Sequence, residues 1–162
     1  PGTYCRDKDA VAASMVLCEA AAFYKTQGKT LWDAMVDMYE EYGYYKEGLA
    51  TMTLKGIDGA KEIQTMMTNF RETPPKELGG FQVLAVRDYK ADVRQDLVSG
   101  EKSATGLPSS NVLYYELENN AWCCVRPSGT EPKIKFYFGV KGTSLEDAAE
   151  KLEKLKNAMV TA

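Results

Sequence analysis

Histidine is absent from the 162 residues of this chain, and that absence removes whole reaction classes. Ser-His-Asp and Cys-His catalysis cannot be assembled here, and no phosphohistidine can form. Any acid–base chemistry falls to Asp, Glu, Lys or Tyr. Cysteine is scarce: Cys5, Cys18, Cys123 and Cys124. There is no C-x-x-C spacing, so a zinc site is not expected. Adjacent Cys123 and Cys124 fall on opposite faces of any strand that carries them. So few cysteines make no disulfide framework, and they read as reduced thiols in a cytoplasmic protein. A basic excess is also lacking: the formal net charge is −3, which speaks against a nucleic-acid binder. No apolar run approaches the roughly 18 residues of a membrane span, and no secretory signal is recognisable before the first motif. What remains is a chain with 44% hydrophobic residues, enough for the core of one ordinary domain or of a small domain with an appendage.

The richest segment is Arg126-Pro127-Ser128-Gly129-Thr130-Glu131-Pro132-Lys133, a turn between two apolar strand-like runs, 121–125 and 134–140. Each part suits an anion. An arginine fork grips two phosphate oxygens at once. Two hydroxyls follow at alternate positions. Gly129 is expected to let the backbone bend so that its N–H groups converge as an anion nest. Lys133 and Lys135 add positive charge, and no carboxylate intrudes before Glu131. A Pro-Ser-Gly turn with a surface arginine is also an ordinary connection between strands.

Periodicity supplies the frame. A helix is predicted over 10–25, with Val11, Met15, Cys18 and Ala22 at helical spacing. A second runs from an N-cap at Thr30, supported by Asp33, to about Tyr42, with Leu31, Met35, Met38 and Tyr42 as its stripe and Gly43 just beyond. This pair has nothing large to bury against. A strand follows at 49–54, then a helix at 58–71 with Ala60, Ile63, Met67 and Phe70 on one face, stopped by Pro74-Pro75. Strands are expected at 81–89, 111–117, 121–125 and 134–140, with 91–110 a polar loop-like excursion. Glu118-Asn119-Asn120 reads as a tight turn, because Asn tolerates left-handed backbone. The last helix starts at Thr143 or Ser144, with Glu146 completing a capping box and Leu145, Ala148, Leu152, Leu155 and Met159 inward. Alternating strands joined by short turns make the sheet mostly antiparallel, with helices on one face. The fold class is α+β. Met35, Met38, Met66 and Met67 are expected in helix cores, and Tyr39, Tyr42, Tyr44 and Tyr45 are assigned to packing in preference to a stacking surface.

The loop and three further segments together resemble a family. RPSGTEPK followed by IKFYF resembles the phosphate-binding loop of the last domain of the α-D-phosphohexomutases, the phosphoglucomutase and phosphomannomutase enzymes. Residues 2–10 (GTYCRDKDA) resemble the segment after the sugar-binding loop in that family's third domain. Residues 40–45 (EEYGYY) resemble the passage into the fourth, and 107–113 (LPSSNVL) the approach to the phosphate loop. The resemblance implies two parts: 1–43, a helical tail of an α/β third domain, and 44–162, a C-terminal phosphate-binding domain with a TATA-binding-protein-like sheet. It also implies that the chain is a C-terminal fragment, since the phosphoserine loop, the Asp-rich magnesium loop and the Glu-x-Ser sugar loop have no counterpart in it.

By the same resemblance, Arg126, Ser128, Gly129 and Thr130 contact the non-reacting phosphate of a hexose phosphate. Lys135 is a second basic ligand, placed with Tyr137 on the face opposite Ile134, Phe136 and Phe138. Lys133 is assigned to the face opposite Lys135 and is a lesser candidate, as is Lys8, with Arg6 behind it. Charged residues before a helix are otherwise ordinary, and Asp9 serves as a cap. No catalytic or metal residue is assigned. The parent enzyme is expected to interconvert hexose 1-phosphate and 6-phosphate, using Mg2+ and a hexose 1,6-bisphosphate activator. The partners expected are the hexose phosphate and the N-terminal mutase domains, with no nucleic acid and no membrane. The fragment alone is expected to be inactive. The competing readings are a stand-alone sugar-phosphate-binding module and, from fold analogy only, a nucleic-acid binder.

Overall fold

The computed structural model describes residues 7–54, 56–129 and 131–161. The backbone divides into two compact units, Pro1–Gly43 and Tyr44–Ala162.

The first unit is a helical hairpin. Helix α1 spans Ala10–Thr26 and is capped by Asp9, whose carboxylate accepts from the amides of Val11 and Ala12. Helix α2 spans Leu31–Tyr42. Thr30 and Asp33 form the predicted reciprocal capping box, and the Gly43 amide closes the far end on the Tyr39 carbonyl. The pair buries little, as expected of helices with nothing large to pack against, and this corrects the placing of Met35 and Met38 in a core and of Tyr42 in packing. Val11, Met15, Met35, Met38 and Tyr42 are exposed, and Ala12 and Ala34 are the buried apolar residues of the described helices. Two helices alone offer too little apolar surface to cover both stripes. Of the four methionines expected in cores, Met67 is buried and Met66 packs against the core, whereas Met35 and Met38 do neither.

The second unit is α+β. Its strands are β1 (Tyr44–Thr53), β2 (Glu77–Leu78), β3 (Phe81–Asp88), β4 (Val93–Asp96), β5 (Lys102–Ser103), β6 (Leu113–Leu117), β7 (Trp122–Pro127) and β8 (Lys133–Gly142), with helices α3 (Gly56–Glu72) and α4 (Leu145–Val160). Among the described residues the strands pair antiparallel in the order β1-β8-β7-β6-β3-β4-β5, with β2 on β3. The core lies between sheet and helices. Ile63, Met67 and Phe70 of α3 and Leu152, Leu155 and Met159 of α4 pack with Leu113, Tyr115, Val125, Ile134, Phe136 and Phe138. The buried Tyr115 hydroxyl donates to the Phe70 carbonyl at 3.1 Å, so no polar atom is stranded there.

Four expectations need correction. Residues 91–110 are not only loop, because β4 and β5 extend the sheet within them. Strand β1 begins at Tyr44, five residues earlier than its apolar alternation suggested. Ala60 is exposed. Gly59 takes the inward position in its place, because an added Cβ there would stand 2.7 Å from the Leu54 carbonyl carbon. The α4 cap is made by Ser144 with Asp147, not Glu146. The Ser144 hydroxyl accepts from the Asp147 amide, and the Asp147 carboxylate accepts from the Thr143 amide and from Lys151. Those contacts, Lys151 foremost, pull the Asp147 carboxyl down to about 2. The Asn119-Asn120 turn is as expected, with φ of 57° and 58°.

Candidate functional site

Strand β8 alternates without a break over its first six residues. Ile134, Phe136 and Phe138 are buried, while Lys133, Lys135 and Tyr137 are half-buried on the open face. Side chains two apart share a face, so Lys133 lies on the same face as Lys135. The assignment of Lys133 to the opposite face is wrong for that reason. Strand β7 alternates in register: Val125 is buried against Phe136, and Arg126 is exposed directly opposite Lys135. On the other side of β8, Lys135 is paired with Thr51 of β1.

The connection between β7 and β8 is held at its ends. The Ser128 amide donates to the Lys133 carbonyl at 2.7 Å, the Glu131 amide to the Ser128 hydroxyl at 3.3 Å, and the Leu54 amide to the Pro132 carbonyl at 3.0 Å. The Ser128 N–H is therefore committed to the strand ladder, which limits the predicted nest. Gly129 is not among the positive-φ glycines, and an added Cβ would meet nothing within 4 Å. Its value at the loop crest is a bare approach, not an unusual backbone angle.

Arg126, Pro127, Ser128, Gly129, Lys135 and Tyr137 line a cavity of about 270 Å³. Four of the sequence candidates meet there: Arg126, Ser128, Gly129 and Lys135. Thr130 lies outside the described residues, as do Arg6 and Cys5. Lys133 does not line the cavity; its ammonium pairs with Glu131 at 2.9 Å. Lys8 belongs to the first unit, almost fully exposed beside Asp7 at 3.6 Å. Arg126 and Lys135 make no ion pair with any described residue. Two cations directly opposite on one sheet face repel each other, and an anion between them would relieve that cost. Cys124, two residues before Arg126 on the same face, has its thiol pushed up by burial, while Arg126 pulls the other way.

A larger cavity of about 580 Å³ lies against the same loop, lined by Gly56, Ala60, Ile63, Gln64, Ser128, Gly129, Glu131 and Pro132. Among the described residues its lining carries no cation, whereas the smaller cavity carries two, Arg126 and Lys135. Tyr137 was not among the sequence candidates, although the period-two pattern that placed Lys135 placed it as well. Among the described residues no three His, Cys, Asp or Glu side chains cluster as a metal site would need, and no helix is long and apolar enough to cross a membrane.

These features define an α+β domain that presents a basic, glycine-bearing loop at the end of an antiparallel sheet. Residues 67–158 match the family described as phosphoglucomutase/phosphomannomutase, C-terminal domain. The phosphoglucomutases of two Staphylococcus aureus strains, MRSA252 and COL, are each 38% identical over 157 residues, covering 97% of this chain and 28% of their own length. The solved structure of parafusin, an exocytosis-sensitive phosphoprotein and phosphoglucomutase from Paramecium in its open form, aligns with a TM-score of 0.54 at 14% identity. That alignment covers 98% of this chain and 27% of parafusin. The chain belongs to the phosphoglucomutase/phosphomannomutase family and spans under a third of the length of these relatives.

Proposed function

We propose that this chain is the C-terminal part of a cytoplasmic phosphohexomutase and holds the non-reacting phosphate of a hexose phosphate while the other end is isomerised between the 1- and 6-positions. The observation that carries this reading is the unpaired Arg126–Lys135 couple, directly opposed across β7 and β8 beside Ser128 and Gly129. Arg126 supplies a bidentate fork and Lys135 a point charge. Ser128 contributes a hydroxyl, and Thr130 follows it in the sequence. Binding a distant phosphate accelerates chemistry when that energy positions the reacting end. The nucleophile, the Mg2+ site, the sugar-reading loop and the response to a hexose 1,6-bisphosphate activator belong, in this reading, to the N-terminal domains that the longer relatives carry. The 162-residue chain alone therefore binds but does not isomerise.

The test is calorimetric titration of the chain with glucose 1,6-bisphosphate, repeated with Arg126→Ala. The expected result is binding that weakens about 10- to 100-fold in the variant, the loss of charge-assisted hydrogen bonds. Binding that ignores Arg126 would refute the site. A stand-alone binding module would show the same titration, so an assay of the full reading frame for mutase activity separates the two.

A further inference from the structure

We infer that Tyr137 reads the organic part of the ligand, so that the cavity takes the phosphate monoester of a hydroxylated ring in preference to inorganic phosphate. The inference rests on the phosphate site proposed above and extends it to a specificity residue.

The register of three neighbouring strands carries the argument. Thr51 of β1, Lys135 of β8 and Arg126 of β7 lie side by side as one row across the open face of the sheet. The next row on that face is Leu49, Tyr137 and Cys124. The rows are two residues apart along each strand, about 6.8 Å. A cationic row thus borders an apolar, aromatic row, and one cavity touches both through Arg126, Lys135 and Tyr137.

Each row suits a different part of one molecule. The cations and the loop take the phosphate. The face of the Tyr137 ring carries the negative side of an aromatic quadrupole and does not favour an anion. It favours the C–H-bearing face of whatever the phosphate is esterified to. The partners of Tyr137 across the strands are short or aliphatic, so neither occupies its hydroxyl. Among the described residues no hydrogen bond engages that hydroxyl, which is left for a ligand hydroxyl. Phe136 and Phe138 supply the buried side of the strand, and the half-buried Tyr137 is not part of the core cluster. A short chain such as glycerol would fill the aromatic row poorly, and a ring fills it well.

The experiment titrates the whole 162-residue chain with inorganic phosphate, glycerol 3-phosphate and glucose 6-phosphate. The proteins are wild type, Tyr137→Phe, Tyr137→Leu and Arg126→Ala, each checked for retained secondary structure. Wild type is expected to prefer the hexose phosphate. Tyr137→Leu should weaken hexose phosphate binding roughly three- to tenfold while inorganic phosphate stays within about twofold, and Tyr137→Phe should keep most of the preference. Arg126→Ala should weaken every ligand. If Tyr137→Leu leaves the preference unchanged, or weakens all ligands equally, while Arg126→Ala still weakens every ligand, the role of Tyr137 is refuted and the phosphate site stands. If wild type binds none of the three, the phosphate site is refuted, and this inference with it.

Discussion

At the scale of single residues, chemistry separates two lysines that the sequence places almost side by side. Lys133 is neutralised by Glu131, whereas Lys135 faces Arg126 with no acid between them. Lys135→Ala should therefore weaken phosphate binding about tenfold, and Lys133→Ala by no more than about twofold, as titrations of the two variants would show. Gly129 makes a second test. With no positive φ and open space at its Cβ position, Gly129→Ala should leave the melting temperature unchanged and still reduce phosphate affinity by crowding the loop crest. Much of this was legible beforehand, because alternation alone put Lys135 and Tyr137 on the open face. The Lys133 error came from not carrying that same period back two residues. The bare crest at Gly129 could not be read at all, since glycine serves a bend and a close approach with the same letter.

At the scale of elements, capping and burial were legible where they are local. The Thr30–Asp33 box and the inward stripe of α4 follow from spacing, whereas β4 stayed hidden. Val93-Arg94-Gln95-Asp96 is half-buried throughout and carries no apolar alternation, because its ladder is fixed by side-chain charge as well as backbone. Arg94 sits directly opposite Arg87, and Glu116 bridges both. Arg94 first, and then Arg87, hold the Glu116 carboxyl below the usual carboxylate range. A lowered folded value means the bridge stabilises above the unfolded carboxylate value of 4.5 and is lost as pH falls through the folded one. Wild type should thus lose stability below about pH 4.5. Glu116→Gln should flatten that part of the curve and cost about 1 kcal/mol at neutral pH, after screening, by leaving two arginines opposed. Thermal melts from pH 3 to 7 would show both effects. Close packing makes a harsher case at Gly139, where a Cβ would stand 2.2 Å from the Trp122 indole nitrogen. Gly139→Ala must displace a ring that stacks on Tyr114 at 5.6 Å between centroids. It should cost about 1–3 kcal/mol in denaturant melts.

At the scale of the whole molecule, the boundary at Gly43 matters most. Every described residue of the main core cluster lies between Ile63 and Met159, with Ala50, Met52, Leu54, Met66, Leu97 and Val160 packed against it. None of these described residues comes from the helical hairpin. Residues 44–162 expressed alone should therefore fold cooperatively, with a single sharp thermal transition and the circular dichroism spectrum of an α+β domain. A melt that broadens or disappears would show that the hairpin is needed.

Strand β1 starts at the residue after Gly43 and runs ten residues to Thr53, paired along its whole length with β8. It thereby joins the domain boundary to the row that holds Lys135. A rod of that length spans about 33 Å, so a pivot of ten degrees about its Gly43 end would sweep its far end by about 6 Å. A small change of direction at the start of β1 is thus geared up, through a stiff arm, into a displacement wider than a phosphate group at the row of Lys135, where the phosphate site is proposed.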